Sequence, residues 1–205
     1  MAEKDAPDLV ELAIRLIAEH GWQGFSFADL ARQATVPLAV VYAELPNRAA
    51  ILSALGRRLD AEMLGIDMAE FDGMTPRERV FELVMRRLDA MAPYKEGLRT
   101  IAHEAARDPM LLGVACCTVA RLGRRLVDVA GTEESRVLTA LARHAVGAIY
   151  ARAFNVWLDD DTPDMARTLA ELDRRLQQAE EVAHCFAGLG RSRRGCRSPE
   201  AEAAA

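Results

Sequence analysis

The chain has 205 residues, a formal net charge of −5 and hydrophobic residues at 51% of its positions. This length is sufficient for two helical domains with adequate cores, and the acidic balance gives no general attraction to nucleic acids or anionic membranes. The first residues, MAEKDAPD, are polar and contain no hydrophobic signal region, and no apolar run is long enough to span a bilayer. We therefore expect a cytoplasmic protein with no membrane partner.

The first predicted helix begins near Leu9. Apolar residues recur at spacings of three and four from Leu9 to Ile17, which is typical of an amphipathic helix. His20 and Gly21 end this helix, because glycine favours the left-handed conformation of a C-terminal cap.

A second helix and a tight turn follow. Ser26 can cap a helix that begins near Phe27, and Asp29 is placed to return the capping bond. Residues 35–36 form the turn, and Pro37 occupies the first position of the next helix, where its missing N–H costs nothing.

The third helix is short. It is predicted over residues 38–45 and ends at Pro46, after which Asn47 caps a fourth helix over residues 48–64. Two short helices joined by a tight turn form the layout of a helix-turn-helix reader of the DNA major groove.

This stretch resembles the N-terminal domain of the TetR family of transcriptional regulators, over roughly the first quarter of the chain. The matching residues are Ala18, Glu19, His20, Gly21, Asp29, Leu30, Ala31, Ala34, Val36, Tyr42, Pro46, Asn47 and Arg48. The resemblance implies an all-α, TetR-like fold with an N-terminal three-helix helix-turn-helix domain and a C-terminal helical bundle. We divide the chain into a DNA-binding domain over residues 1–48, a ligand-binding and dimerisation domain over 49–187, and a disordered tail over 188–205.

The resemblance also implies which residues contact DNA. In that family the third helix lies in the major groove, the start of the fourth contacts phosphate, and the tyrosine hydroxyl contacts the DNA backbone. The candidate DNA-binding residues are Ser26, Pro37, Leu38, Ala39, Val40, Tyr42, Asn47 and Arg48.

The predicted reading helix departs from the usual chemistry of that family. Residues 37–40 are Pro-Leu-Ala-Val, where the family usually has Ser, a basic residue, Gly and Thr, and residues 43–44 are Ala-Glu. Residues 1–48 hold four basic and seven acidic side chains, a net charge of −3, whereas DNA binding needs cations and base reading needs hydrogen-bonding groups. Two interpretations stay open: Leu38, Val40 and Val41 pack the domain, or they reach the groove.

The rest of the chain is predicted to be helical, with a linker over residues 65–74. Capping residues, prolines and Gly131 place the helices at about 75–92, 93–107, 109–130, 132–158 and 163–187. From Gly188 onward the chain is rich in Gly, Arg and Ala, and we expect disorder there.

Apolar residues over 75–130 form a large, methionine-containing set. In TetR-like regulators this region holds a pocket for a small apolar effector. The candidate lining residues are Phe81, Met85, Leu88, Tyr94, Ile101, His103, Cys116 and Val119. The alternative is an ordinary core, and a single histidine is more often a packing residue than a ligand contact.

The last two predicted helices carry wide apolar faces with many small residues, which must be covered by something. The resemblance implies that they form the four-helix interface of a homodimer. The candidate interface residues are Leu141, Ala145, Ala148, Ile149, Leu169, Leu172 and Leu176. The alternative is a pair buried within one monomer.

A second resemblance covers the end of the chain. The Trp-Leu-Asp-Asp turn at residues 157–160, followed by Leu-Asp-Arg-Arg-Leu at 172–176, looks like the ubiquinone-biosynthesis lipid-binding family. That family shares the TetR-like fold and has lost DNA reading. Its final amphipathic, membrane-touching helix is replaced here by the Arg-rich tail. The alternative for residues 173–175 is a solvated helix face with interhelical ion pairs.

An enzyme is not expected, because the chain has no Gly-rich phosphate loop, no nucleophile elbow and no spaced His/carboxylate set. The four cysteines form no CxxC or Cys/His metal spacing, so we expect no metal and no cofactor. The leading hypothesis is a ligand-responsive transcriptional repressor that binds double-stranded operator DNA as a homodimer. The alternative hypothesis is a TetR-fold lipid or isoprenoid binder without DNA binding.

Overall fold

The computed structural model describes residues 7–131 and 136–194, which are helical apart from short turns. No strand occurs in these two ranges, and the predicted all-α class is confirmed. Two 3-10 helices, Met68–Phe71 and Ala92–Tyr94, precede the fifth and sixth α-helices. The α-helices are α1 (Leu9–Gly24), α2 (Phe27–Ala34), α3 (Leu38–Glu44), α4 (Arg48–Leu64), α5 (Pro76–Met91), α6 (Lys95–Ala105), α7 (Pro109–Ala130), α8 (Arg136–Leu158) and α9 (Ala166–Arg194).

Helices α1 to α3 form a three-helix unit that we call the head. Asp8 caps α1 by accepting from the backbone N–H groups of Val10 and Glu11 at 3.0 and 3.1 Å. Gly21 has a φ of 79°, which glycine adopts at low cost and which ends the regular part of α1. The head is held together by side chains that are almost completely buried, namely Leu16, Ile17, Leu30, Val41 and Leu45.

Helix α1 also packs against α6, which belongs to the rest of the chain, here called the body. A Cβ atom added at Gly97 of α6 would lie 2.6 Å from the carbonyl oxygen of Ile14, so only glycine allows the two helices to lie this close. At the end of α1, the backbone N–H of Trp22 donates to Oε1 of Glu104 at 2.8 Å. The head is therefore joined to the body by both close packing and a charge-assisted hydrogen bond.

A buried ionic network joins α4 to α5, α7 and α8. Asp60 of α4 pairs with Arg87 of α5 and Arg125 of α7. Arg87 is only 3% exposed, and its Nε donates to the hydroxyl of Tyr150 in α8 at 3.3 Å. Because a buried charge is costly unless it is paired, this network fixes α4, the helix that leaves the head, against three helices of the body.

The turn between α8 and α9 is organised by the buried carboxylate of Asp160. It accepts from the hydroxyl groups of Thr162 and Thr168 at 2.6 and 2.7 Å. Burial alone would raise the pKa of Asp160, but these hydrogen bonds hold the pKa well below its usual range. Lys95 of α6 donates to the carbonyl oxygen of Asp160 at 2.6 Å, so α6 holds this corner in place.

Several helix starts differ from those predicted. The helix predicted from Pro93 begins as α6 at Lys95, after a 3-10 turn. The helix predicted from Pro163 begins as α9 at Ala166, because Thr162 Oγ1 accepts from the Ala166 N–H at 3.1 Å and caps it there. The predicted linker over 65–74 contains the 3-10 helix Met68–Phe71, whose Phe71 is 1% exposed.

The end of the last helix also differs. The sequence predicts an end near Ala187 and a disordered tail over 188–205, but α9 continues to Arg194. A single glycine costs a helix about 1 kcal/mol and does not by itself end it, which explains why Gly188 is a poor stop signal. Residues 195–205, and residues 132–135 that are predicted to open α8, lie outside the described residues.

Within the described ranges, no single helix is long and apolar enough to cross a bilayer. The consecutive helices α3 and α4 have the length and apolar composition of a membrane span only when they are taken together, and they are bent by 58° relative to each other.

Candidate nucleic-acid interface and ligand surfaces

Helix α3, the predicted reading helix, presents an apolar face to solvent. Leu38 is 42% exposed and Val40 is 46% exposed, whereas Val41 is completely buried. The packing interpretation therefore holds for Val41 and is wrong for Leu38 and Val40. Ala39 lies on the same exposed surface.

Tyr42 extends this surface. Its ring packs on Phe27 of α2 with 5.1 Å between ring centroids, and the side chain is 46% exposed. Phe27 in turn makes an edge contact with Phe25 at 5.1 Å. The contact with Phe27 holds the Tyr42 ring of α3 against α2, where the phenol can act as a positioned hydrogen-bonding group.

Three other predicted DNA-binding residues precede a helix. Pro37 is not the first helical residue as predicted: it is the N-cap of α3, which begins at Leu38, and it makes no side-chain capping bond. Ser26 caps α2 by accepting from Ala28 N–H at 3.2 Å, and Asn47 caps α4 by accepting from Ala50 N–H at 2.9 Å. Asp29 does not return the capping bond of α2 but pairs with Arg32.

Arg48, at the start of α4, already uses part of its guanidinium group for hydrogen bonds to the segment that links α1 and α2. Its Nη2 donates to the carbonyl oxygens of Gln23 and Phe25 at 3.2 and 2.8 Å. Arg48 therefore ties α4 to the link between α1 and α2, and only the remainder of its guanidinium group is available to a phosphate.

The electrostatics of this surface are close to neutral. Residues 21–52 contain two arginines, Arg32 and Arg48, and two carboxylates, Asp29 and Glu44, which sum to zero. The exposed groups on α3 are thus apolar side chains, one phenol and one carboxylate, so an operator would be contacted with few cations.

The residues predicted to line an effector pocket do not share one environment. Leu88 is completely buried and Ile101 is 7% exposed, while Phe81, Met85, Tyr94 and Val119 are half-buried. His103 and Cys116 are exposed, so their prediction as internal lining residues is wrong: each lies on the outer side of its helix, which the apolar spacing does not reveal. Leu88 is core packing rather than cavity wall.

Two concavities stand out on the described parts of the chain. One, of about 610 Å³, lies between α5, the turn before it and α9; Phe81 is the member of the predicted pocket set that lines it, together with several carboxylates. The other, of about 410 Å³, lies at the junction of head and body. No group of three or more His, Cys, Asp or Glu side chains suited to a metal occurs within the described residues.

The predicted dimer residues divide into two groups. Leu141 is 57% exposed and Ala148 is exposed on α8, while Ala145, Ile149 and Leu169 are half-buried. Leu172 is completely buried and Leu176 is 5% exposed, so their prediction as interface residues is wrong. The apolar stripe of α9 that includes Leu172 and Leu176 packs on α8 and α5, while Leu141 of α8 and Val182 of α9 are exposed.

Three arginines converge on Glu171 of α9. Arg152 and Arg175 donate to Oε1 at 3.1 and 3.0 Å, and Arg174 pairs with Oε2. Burial would raise the pKa of Glu171, but the hydrogen bonds from the arginines lower it to about 2. Glu171 is not among the residues predicted from the sequence, although its position one helical turn before two arginines is a readable signal.

The alternative interpretation of residues 173–175, a solvated face with interhelical ion pairs, holds for Asp173, whereas Arg174 and Arg175 pair with Glu171 within α9. Asp173 pairs with Arg77 of α5 at 2.5 Å, and its side chain is more than half exposed.

Comparison with known proteins extends these observations. The profile of the COQ9 family matches residues 142–183, which span most of α8 and the first part of α9. No curated protein matches the chain. A TetR transcriptional regulator from Nitrosomonas europaea is similar in structure, with a TM-score of 0.67, 24% identity, and coverage of 84% of this chain and 95% of that one.

Two further structures share the arrangement. A TetR transcriptional regulator from Rhodococcus sp. RHA1 has a TM-score of 0.58 and 16% identity, covering 83% of this chain and 92% of that one. A TetR variant from Acinetobacter baumannii, in complex with minocycline, has a TM-score of 0.50 and 19% identity, covering 88% and 98%. The predicted resemblances are confirmed at the level of fold: this chain has the fold of the TetR-family transcriptional regulators, and its last two helices resemble the COQ9 family.

Proposed function

We propose that this protein is a ligand-responsive transcriptional repressor that binds operator DNA as a homodimer and acts in the cytoplasm. The observation that carries the proposal is the exposure of α3: a short helix behind a tight turn projects Leu38, Val40 and Tyr42 into solvent instead of burying them. A surface of this shape at the end of a helix-turn-helix fits the major groove. An apolar effector held by the body would change DNA affinity by shifting the two heads of the dimer.

The composition of α3 predicts an unusual mode of reading. Leu38, Ala39 and Val40 offer apolar contacts, which in the major groove select the methyl group of thymine. The hydroxyl of Tyr42, the side chain of Asn47 and the backbone N–H groups at the start of α4 would contact phosphates. We therefore expect a T-rich operator and an affinity to which cationic side chains contribute little.

The scarcity of cations limits the salt dependence of DNA binding. Only Arg32 and Arg48 supply positive charge among residues 21–52, so the two helix-turn-helix segments of a dimer carry at most four cations. The slope of log affinity against log salt is then no steeper than about −3.6, from about 0.9 per neutralised phosphate.

The test is binding of the purified dimer to DNA upstream of its own gene, measured by fluorescence anisotropy across a salt series, with random DNA as competitor. We expect sequence-selective, submicromolar binding with this shallow slope. Tyr42→Phe should weaken binding several-fold, about 1 kcal/mol for one hydrogen bond. Affinity equal to that for random DNA would refute the proposal.

A second candidate function is lipid or isoprenoid binding without DNA reading. Two observations favour it: residues 37–44 carry no cation, and the COQ9 profile matches residues 142–183. It predicts that native mass spectrometry of the protein purified from its own host detects a stoichiometric bound lipid. Lipid-free protein with selective DNA binding would exclude it.

A further inference from the structure

The groove of about 410 Å³ at the junction of head and body lies between the end of α1, the start of α4 and the start of α7. Its volume falls in the range of small-molecule sites, about 300–1,000 Å³. Residues predicted to line an effector pocket are absent from its described lining. The groove is therefore distinct from the effector pocket predicted inside the body.

The walls of this groove are largely apolar. Trp22 and Leu111 are 6% and 2% exposed and form its inner side, with half-buried Val114 beside them. Met110, on the first turn of α7, is 82% exposed. A flexible thioether placed in solvent at the rim of an apolar groove can fold onto an occupant, as methionines do in adaptable binding surfaces.

Two charged side chains line the groove, Asp108 and Arg48, and they differ in how many of their hydrogen-bonding atoms already have partners. Asp108 caps α7 through Oδ1, which accepts from two backbone N–H groups at 2.9 and 3.1 Å, and its Oδ2 accepts from Gln23 at 3.3 Å. Arg48 uses only Nη2 for the carbonyl oxygens of Gln23 and Phe25. In the described part of the chain, Nε and Nη1 of Arg48 have no partner, so the groove has free donors but an engaged carboxylate.

We propose that this groove binds a small amphiphile with a carboxylate head and one aliphatic chain. The carboxylate lies at Arg48, whose guanidinium geometry matches it, and the aliphatic chain lies against Met110 and Val114. The occupant touches α1 of the head and α4 and α7 of the body, so it bridges the head and the body of the protein. This site does not depend on whether the protein binds DNA.

The test uses sodium decanoate below its micelle concentration, added to the full-length protein with 13C-labelled methionine methyl groups. Methyl spectra should show a saturable shift of the Met110 resonance and none of Met68, an exposed methionine on the turn before α5. Decanol and decyltrimethylammonium share the aliphatic chain but carry neutral and cationic groups, and we expect each to bind at least about five-fold more weakly than decanoate, about 1 kcal/mol.

Variants separate the site from general apolar binding. Met110→Glu places a negative charge in the groove and should weaken decanoate binding at least about ten-fold, or about 1.4 kcal/mol, whereas Met68→Glu makes the same change elsewhere and should have no effect. Arg48→Gln should remove the preference for the anionic group. Arg48 also holds α4 to the α1–α2 link. If Arg48→Gln does not fold, the comparison of Met110→Glu with Met68→Glu tests the location of the site.

Two results would overturn the proposal. No saturable Met110 shift, or equal shifts at Met68, would overturn the site. Equal affinity for decanoate, decanol and decyltrimethylammonium would overturn the ligand class.

Discussion

Replacing Gly123 with alanine tests the close approach of α7 and α8. A Cβ atom at Gly123 would meet the carbonyl oxygen of Arg143 and lie 3.0 Å from the Cα of Gly147. These are backbone atoms of the facing helix, so no side-chain rotation relieves the clash and the two helices must separate. Gly113 is a matched control on the same helix, because a Cβ there meets nothing within 4 Å.

The size of the effect follows from two opposing contributions. Alanine in place of glycine favours a helix interior by about 1 kcal/mol, and this gain applies at both positions. Overpacking costs about 1–3 kcal/mol, and a rigid backbone contact places Gly123 at the upper end. Gly113→Ala should therefore raise the free energy of unfolding by about 0.5–1 kcal/mol, and Gly123→Ala should lower it by about 2 kcal/mol.

Urea unfolding followed by far-ultraviolet circular dichroism measures both values, with m-values compared to verify that the unfolding transitions are alike. Size-exclusion chromatography of each variant establishes that the oligomeric state is unchanged. Equal stabilisation by the two alanines would refute the geometry, since it would mean that a Cβ at Gly123 is accommodated without moving α8.

The described contacts also predict the effects of changes at α8, α9 and the buried ionic network. Leu141→Asp should dissociate the proposed dimer in analytical ultracentrifugation while circular dichroism stays native. Leu172→Ala should lower the free energy of unfolding by about 2–5 kcal/mol, because a buried leucine is lost from the core. The lowered pKa of Glu171 means that its stabilisation is present above its unfolded-state pKa and is lost as the pH falls towards about 2, so urea titrations should show the deficit of Glu171→Gln near neutral pH shrinking in acid. Arg87→Met leaves the Asp60 carboxylate with only the more exposed Arg125 as its partner and should lower the free energy of unfolding by about 2 kcal/mol; the double variant with Asp60→Asn should recover part of it.

Much of the fold was predictable because its signals are local. Ser26 and Asn47 each cap a helix where the sequence predicts, and the Thr-Pro-Arg-Glu run at residues 75–78 forms a capping box at α5. Caps act through backbone groups two or three residues away, so no tertiary information is needed to recognise them.

The candidate site was less predictable because exposure is set by distant packing. Leu38, Val40 and Leu172 are all apolar residues at helical spacing, yet the first two face solvent and the third is buried. The spacing indicates which residues share a helix face, but which neighbour covers that face depends on helices far away in the chain. The same reason explains why His103 and Cys116 are exposed although their helices are amphipathic.

The join between α1 and α6 has a consequence for how this protein could be cut or recombined. Ile14 packs against the backbone at Gly97, and Trp22 relies on Glu104 to accept from its backbone N–H. A fragment that stopped at residue 48 would uncover that surface of α1 and leave the donor without its acceptor. The head is therefore not a portable module: a chimera that transfers it to another body must carry over α6, or supply a glycine and a carboxylate at the equivalent positions.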